Sequence, residues 1–270
     1  MNWVDIGVNF TDRRLDFDPA FTRALKANVT QMIITGTSVS SSQHAREISA
    51  LHPTHLFSTA GVHPHHAKDF TAQTKTELTA ITRSKNVVAI GECGLDFNRN
   101  FSTPNEQRFA FEQQLILACE LGLPVFLHER DAFETQIELL TKYRKDLKGG
   151  VVHCFTGNIE QMNHYLDLDL YIGITGWVCD LKRGQSLRDA VKSLPLNRIL
   201  LETDAPYLRP KGLANNRKLD NGNNEPAYLP YIAGEVANIM ATDITTLQVA
   251  SEANTQALFN ISSNSAGHVK

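Results

Sequence analysis

The sequence predicts a single closed (β/α)8 barrel of the TIM type, an α/β fold, and three observations carry that prediction. Eight short apolar or alternating runs recur along the 270 residues, each followed by a longer segment of helical periodicity. Their starts lie 20 to 37 residues apart, the length of one βα unit. No G-x-G-x-x-G turn follows the first run, where an open doubly wound sheet would be expected to carry one. The length is enough for two average domains, yet it also matches a single barrel of about 250 residues.

Taken in order, the runs begin with Trp3–Val8, Gln31–Thr35 and Leu56–Val62. Ser40-Ser41-Ser42 offers a helix start between the second and third, and Thr71 or Thr74 offers one before the fourth, Val87–Gly91. The next helix has the plainest signal. Thr103-Pro104-Asn105-Glu106 supplies an N-cap, a first-position proline and a capping-box glutamate, ahead of Phe111, Leu115, Ala118 and Cys119 on one face. Pro124–Leu127, Val151–Cys154, Tyr171–Thr175 and Arg198–Glu202 complete the eight. An irregular stretch, Pro206–Asn224, then precedes two closing helices near Pro226–Met240 and Ile244–Leu258, the first with Asn224 as its cap. Residues 1–262 therefore read as one domain and 263–270 as a frayed tail.

Composition excludes several classes. The chain is 42% hydrophobic and 20% charged, with 26 Lys+Arg against 29 Asp+Glu and a net charge of −3. That balance argues against a basic nucleic-acid coat and a polybasic membrane binder. It leaves room for a nuclease whose metal ions meet the phosphate. No apolar run approaches the length of a membrane span, and the first residues lack the layout of a signal peptide. Four separated cysteines, Cys93, Cys119, Cys154 and Cys179, read as reduced, half-buried thiols in a cytoplasmic protein.

The chemistry gathers where the runs end. His63 and His65 follow the third, Glu92 the fourth and His128 the fifth; His153 lies at the end of the sixth, Glu202 and Asp204 at the eighth. In a βα barrel these C-terminal ends share one mouth, which holds the active site. Two imidazoles and two carboxylates, Glu92, His128, His153 and Asp204, make a credible shell for one or two divalent cations, as in a metal-dependent hydrolase. Any one histidine after an apolar run is more often a core residue. Titratable groups ending four runs at the same polarity outweigh that reading. His44, His52, His55, His164 and His268 lie elsewhere and read as solvated or capping. Alternation turns Cys93 and Cys154 away from the mouth, so both read as packing. Trp177 and Phe155 read as wall residues.

These residues fall in Gly61-Val62-His63-Pro64-His65, Ile90-Gly91-Glu92-Cys93-Gly94-Leu95-Asp96, His128-x-Arg130-Asp131-Ala132, His153-Cys154-Phe155-Thr156-Gly157, Glu202-Thr203-Asp204-Ala205-Pro206-Tyr207-Leu208 and Asn224-Glu225-Pro226. In that combination, over essentially the whole length, the chain resembles the TatD-type metal-dependent deoxyribonucleases among the amidohydrolase-like barrels. The resemblance implies a 3′→5′ exonuclease on single-stranded DNA or RNA ends, acting in DNA repair or degradation. It implies metal ligation by Glu92, His128 and His153, with Asp204 as metal ligand and general base. It also implies Mg²⁺ or Mn²⁺, with Zn²⁺ possible, and a monomer with no obligate protein partner and no membrane.

One departure stands out. Members of that family usually open with D-x-H-x-H, whereas this chain reads Asp5-Ile6-Gly7-Val8-Asn9. Gly7 offers no ligand and Asn9 only a carbonyl oxygen, suited to a hard cation. One firm metal site is expected, and a second that is weak, substrate-assisted or absent. On this reading Asp204 takes the proton of the attacking water. His63, with His65, donates to the phosphate or the leaving oxygen, and Arg130 grips the phosphate as a planar fork. Arg99 is a poorer candidate for that grip. Arg209, Lys211, Arg217 and Lys218, with Lys182-Arg183, add two short basic loops beside the mouth. The nearest alternative is a metal-dependent esterase, lactonase or aminoacyl-ester deacylase on the same barrel; the other is a non-catalytic metal-stabilised scaffold.

Overall fold

A computed structural model describes residues 2–213 and 222–262. The strands are β1 (Trp3–Val8), β2 (Val29–Ile34), β3 (Leu56–Ala60), β4 (Val87–Asp96), β5 (Val125–Arg130), β6 (Gly150–Val152), β7 (Tyr171–Ile174) and β8 (Ile199–Leu201). They form one sheet in chain order, every neighbouring pair parallel. The ring closes between β8 and β1 through a Val8–Ala205 bridge, with Asn9 N–H donating to Ala205 O at 2.8 Å and Asp204 N–H to Gly7 O at 2.8 Å. Between the strands run α1 (Phe17–Lys26), α2 (Val39–Leu51), α3 (Ala72–Ile81), α4 (Pro104–Leu121), α5 (Phe133–Tyr143), α6 (Ile159–Asp167) and α7 (Gln185–Val191). The closing pair is α8 (Leu229–Ile239) and α9 (Ile244–Phe259). No helix among the described residues is long and apolar enough to cross a membrane.

The apolar residues divide in two. Val4, Ile6, Ile33, Phe57, Val88, Phe126, Val151 and Leu200 come one or two from each of seven strands and pack together as the barrel interior. Leu258, Phe259 and Ile261 join them from the chain's last described turn. The larger cluster, including Met32, Ile34, Leu115, Ile172 and Val236, lies between sheet and helices. Burial of these two sets is the main driving force of the fold. The interior plug keeps polar groups out of the middle of the barrel, and the titratable cluster of Glu92, His128, His153 and Asp204 sits beyond it, where the strands finish.

Local signals act as expected at α4, where Thr103 accepts from Glu106 N–H and Glu106 reciprocates, and Gly122 at φ 61° ends the helix. At α2 the cap is Ser38, with Ser41 of the serine run as its reciprocal partner. Asn224 does not cap α8, which follows a short 3₁₀ turn over Pro226–Tyr228. Fully buried, it donates to Thr203 O at 2.8 Å and ties the returning chain to the end of β8.

The larger difference is in β4. It runs on to Asp96 and stays paired with β5 as far as Arg130. Gly94 makes that approach possible: its φ is 137°, and a side chain there would overlap the His128 carbonyl oxygen. Gly94→Ala should therefore cost about 1–3 kcal/mol in urea unfolding, with loss of order around His128. An unchanged midpoint would show that β4 can move away freely.

Candidate active site

Three imidazoles meet a single carboxylate oxygen. Glu92 Oε1 lies 3.0 Å from His128 Nδ1, 3.4 Å from His63 Nε2 and 3.8 Å from His153 Nε2. Burial by itself would raise the Glu92 carboxyl, but His63 and the other two rings outweigh it and hold it below its ordinary range. Asp204 faces this group from the β8 side, its Oδ1 4.0 Å from His153 Nε2. Burial pushes the Asp204 carboxyl up to about 7, against the opposing pull of His153. Its φ of 54° is unusual for a residue other than glycine and turns it into the mouth.

Each candidate ligand ring has a second carboxylate behind it. His153 Nδ1 donates to Glu202 Oε2 at 2.5 Å, and His128 Nε2 lies 3.5 Å from Asp96 Oδ2. Against the cost of burial, these anions raise His153 to about 10 and His128 to about 9. Asp96 also holds His65, whose Nε2 is 2.8 Å away. His63 differs. Its Nδ1 accepts the His65 backbone N–H at 3.1 Å, and burial pushes the ring down to about 3. It is a neutral imidazole with its Nε2 proton toward Glu92.

The first strand serves as support. Asn9 donates its amide to Asp204 Oδ1 at 2.9 Å and to Ala205 O at 3.1 Å. Asp5, fully buried, accepts from Thr203 N–H at 2.9 Å, Thr203 Oγ1 at 2.5 Å and Gly7 N–H at 3.2 Å. Both residues thus hold the 203–205 segment that carries Asp204. Gly7 abuts Glu202 and His153.

Two sets of donor atoms lie within 4.8 Å of one another: His63, Glu92 and His128, and His153, Cys154 and Asp204. The structure thus brings Glu92, His128, His153 and Asp204 together, with His63 beside them. His65 stands one ring further out, bonded to Asp96. Arg130 is the last residue of β5, two past His128, and its side chain is exposed. Arg99 is exposed as well. Cys93 is buried as expected, its thiol 3.9 Å from Phe126 O. Cys154 is not turned away. β6 stops at Val152, so alternation no longer applies, and at φ 48° its Sγ lies beside His153 and Asp204. His44, His52 and His164 are exposed and remote, and His55 bonds Thr30 O at 2.7 Å. His268, Arg217 and Lys218 lie outside the described residues. Sequence reasoning missed the roles of Asp96 and Glu202, although both sit in the quoted motifs.

Comparison with known proteins follows the same lines. The model of the TatD-related DNases matches residues 4–260. The chain belongs to this family. Family relatives named "3′-5′ ssDNA/RNA exonuclease TatD" include one from Erwinia tasmaniensis, 46% identical over 95% of this chain and 99% of its own length. Another, from Rahnella, is 48% identical over 96% of this chain and 98% of its own. Among solved structures, the TatD homologue YJJV of Escherichia coli superposes with a TM-score of 0.86 at 27% identity, over 96% of this chain and 98% of that one. A TatD family hydrolase from Entamoeba histolytica gives 0.87 at 26%, over 97% and 99%. An organophosphorus hydrolase from Deinococcus radiodurans, at 14% identity and a TM-score of 0.59 over 95% of this chain and 91% of that one, shares the barrel fold.

Proposed function

We propose that this TatD-family chain is a metal-dependent phosphodiester hydrolase that removes nucleotides from 3′ ends of single-stranded DNA or RNA. The observation that carries the proposal is the convergence of His63, His128 and His153 on Glu92 Oε1 opposite Asp204. It occurs in a chain 46% identical to a named 3′-5′ ssDNA/RNA exonuclease over nearly its whole length. Repair or degradation of exposed ends suits such an activity, and nothing in it needs a membrane.

The donor set fits a divalent cation. His128 Nδ1 and His153 Nε2 converge on Glu92 Oε1 at 3.0 and 3.8 Å, and His153 Nε2 also faces Asp204 at 4.0 Å. Glu92, His128, His153 and Asp204 would hold the ion. Mixed nitrogen and oxygen donors suit Mn²⁺ or Mg²⁺, and Zn²⁺ is compatible. When bound, the ion supplies Lewis-acid polarisation of a phosphate oxygen and acidification of water.

The remaining chemistry belongs to the side chains. Asp204 Oδ1 is fixed by Asn9, so Oδ2 is the oxygen that accepts the proton of the attacking water. The departing 3′ oxygen leaves on the opposite side of the phosphorus and takes its proton from water, while Asp204 returns its own to solvent. His63 donates a hydrogen bond from Nε2 to the phosphate. Because its Nδ1 accepts from His65, this neutral ring stabilises charge without releasing a proton. His65 lines the phosphate approach from the Asp96 side.

Exposed aromatics flank the mouth. Phe101 is 57% exposed with its ring 4.8 Å from that of His65, and Tyr207 is 45% exposed three residues past Asp204. Arg14 stacks on Tyr207 at 4.4 Å, and Arg183 on Trp177 at the same distance. Lys182, Arg183 and Lys211 border a cavity of about 600 Å³ between the two basic loops. Bases of an unpaired strand stack on such rings for about 1–3 kcal/mol each. Phe101→Ala and Tyr207→Ala should thus raise KM for single-stranded DNA about 5- to 100-fold with little change in kcat. Equal KM values would remove the aromatic platform.

The reading itself is tested with 5′-end-labelled single-stranded DNA in Mg²⁺ or Mn²⁺. Stepwise shortening from the 3′ end that EDTA stops is expected. Hydrolysis of simple esters without any shortening would overturn it.

A further inference from the structure

Glu202 is fully buried, and its carboxylate pairs with no Lys or Arg among the described residues. Its two oxygens are both engaged. Oε2 accepts from His153 Nδ1 at 2.5 Å, and Oε1 accepts the Cys154 backbone N–H at 2.6 Å. The strands on either side of β8 leave room for it. A side chain on Gly7 of β1 would overlap Oε2, and a Cβ on Gly173 of β7 would come within 2.5 Å of Oε1. The carboxylate therefore lies in a slot cut by two glycines, beneath a ring that is itself 3% exposed on its side chain.

We propose that Glu202 is a positioning residue that keeps the proton of His153 on Nδ1 and so aims Nε2 at the metal position, and that Gly7 is present to seat it. An ionised carboxylate only accepts, so the ring nitrogen that touches it must donate. That leaves Nε2, which faces Glu92 at 3.8 Å and Asp204 at 4.0 Å, as the nitrogen available to a cation. Such carboxylate–histidine pairs set ring orientation and basicity at metal centres. Gly7, where relatives with D-x-H-x-H carry a histidine, then marks occupied space instead of a lost ligand. This inference rests on the metal-site reading above, and deepens it by assigning the group that orients one ligand.

The test is Glu202→Gln, which preserves shape and the acceptor for Cys154 N–H but can present an amide donor to Nδ1. Imidazole ¹⁵N NMR should show Nδ1 protonated in the wild type and bare in the variant. Calorimetric titration with Mn²⁺ alone, without nucleic acid, should show affinity about 10- to 100-fold weaker. Gly7→Ala, which retains Glu202 but intrudes on its seat, should weaken Mn²⁺ to a similar degree. Glu202→Asp should retain Nδ1 protonation, which a purely structural role would not require. Wild-type Nδ1 found bare, or Mn²⁺ affinity unchanged in Glu202→Gln, overturns the role of Glu202. Unchanged affinity in Gly7→Ala overturns the seat. If wild type binds Mn²⁺ but cuts no DNA, the nuclease reading fails while these outcomes still decide this one.

Discussion

Asp204→Asn is expected to slow the shortening of single-stranded DNA by about 10²- to 10⁴-fold, the range for removing a general base. The substitution is nearly isosteric, and asparagine tolerates the φ of 54° found at this position. The link to Asn9, 2.9 Å from Oδ1, can persist through the new amide oxygen. At saturating Mn²⁺ the loss should therefore appear in kcat, with KM and the thermal unfolding midpoint close to wild type. Such a pattern isolates proton transfer from folding and from strand binding. A variant as fast as the wild type would remove Asp204 from the mechanism and return the base role to another group.

Glu92→Gln should have the second largest effect, and of a different kind. One oxygen of Glu92 stands within 3.0 to 3.8 Å of three ring nitrogens, so its charge organises the whole cluster. Without that charge, His128 and His153 face each other with less compensation, and a cation loses an anionic donor. Mn²⁺ affinity measured by calorimetry should fall by at least about 100-fold, at or beyond the upper end for disturbing a ligand's outer partners. Activity at limiting Mn²⁺ should fall with it, and raising the metal concentration should restore part of the rate. Chelation of the wild type should mimic the variant and be reversed by added metal. Tight Mn²⁺ binding in Glu92→Gln would place the metal elsewhere in the mouth.

Much of this architecture is legible in the order of the amino acids. The succession of eight strands follows from the spacing of apolar runs, because each βα unit must be long enough to cross back over the sheet. The α4 cap follows from Thr103, Pro104 and Glu106, whose effect is local. The boundary of β4 does not. Glu92 to Asp96 lacks clean alternation, and only pairing with β5 as far as Arg130 keeps that segment extended. Arg130 lies two residues past His128 within β5, as counting by twos expects, and its side chain is exposed there. Cys154 departs from its expected direction, since the chain leaves β6 two residues earlier and turns through a left-handed conformation.

The amino-acid sequence by itself determined the parallel barrel, the end at which its titratable residues collect, and the identities of Glu92, His128, His153 and Asp204 as the groups that meet there. Periodicity and strand polarity are enough for that, because they depend only on local conformation and on which side chains avoid water. What the tertiary structure decided is how those groups face one another. Glu202 reaches His153 from 49 positions away, between glycines of two other strands. Asp96 stands near both His65 and His128, and Asn9 reaches Asp204 across the barrel seam. These orientations come from contacts between strands remote in the chain, and such contacts exist only once the barrel has closed.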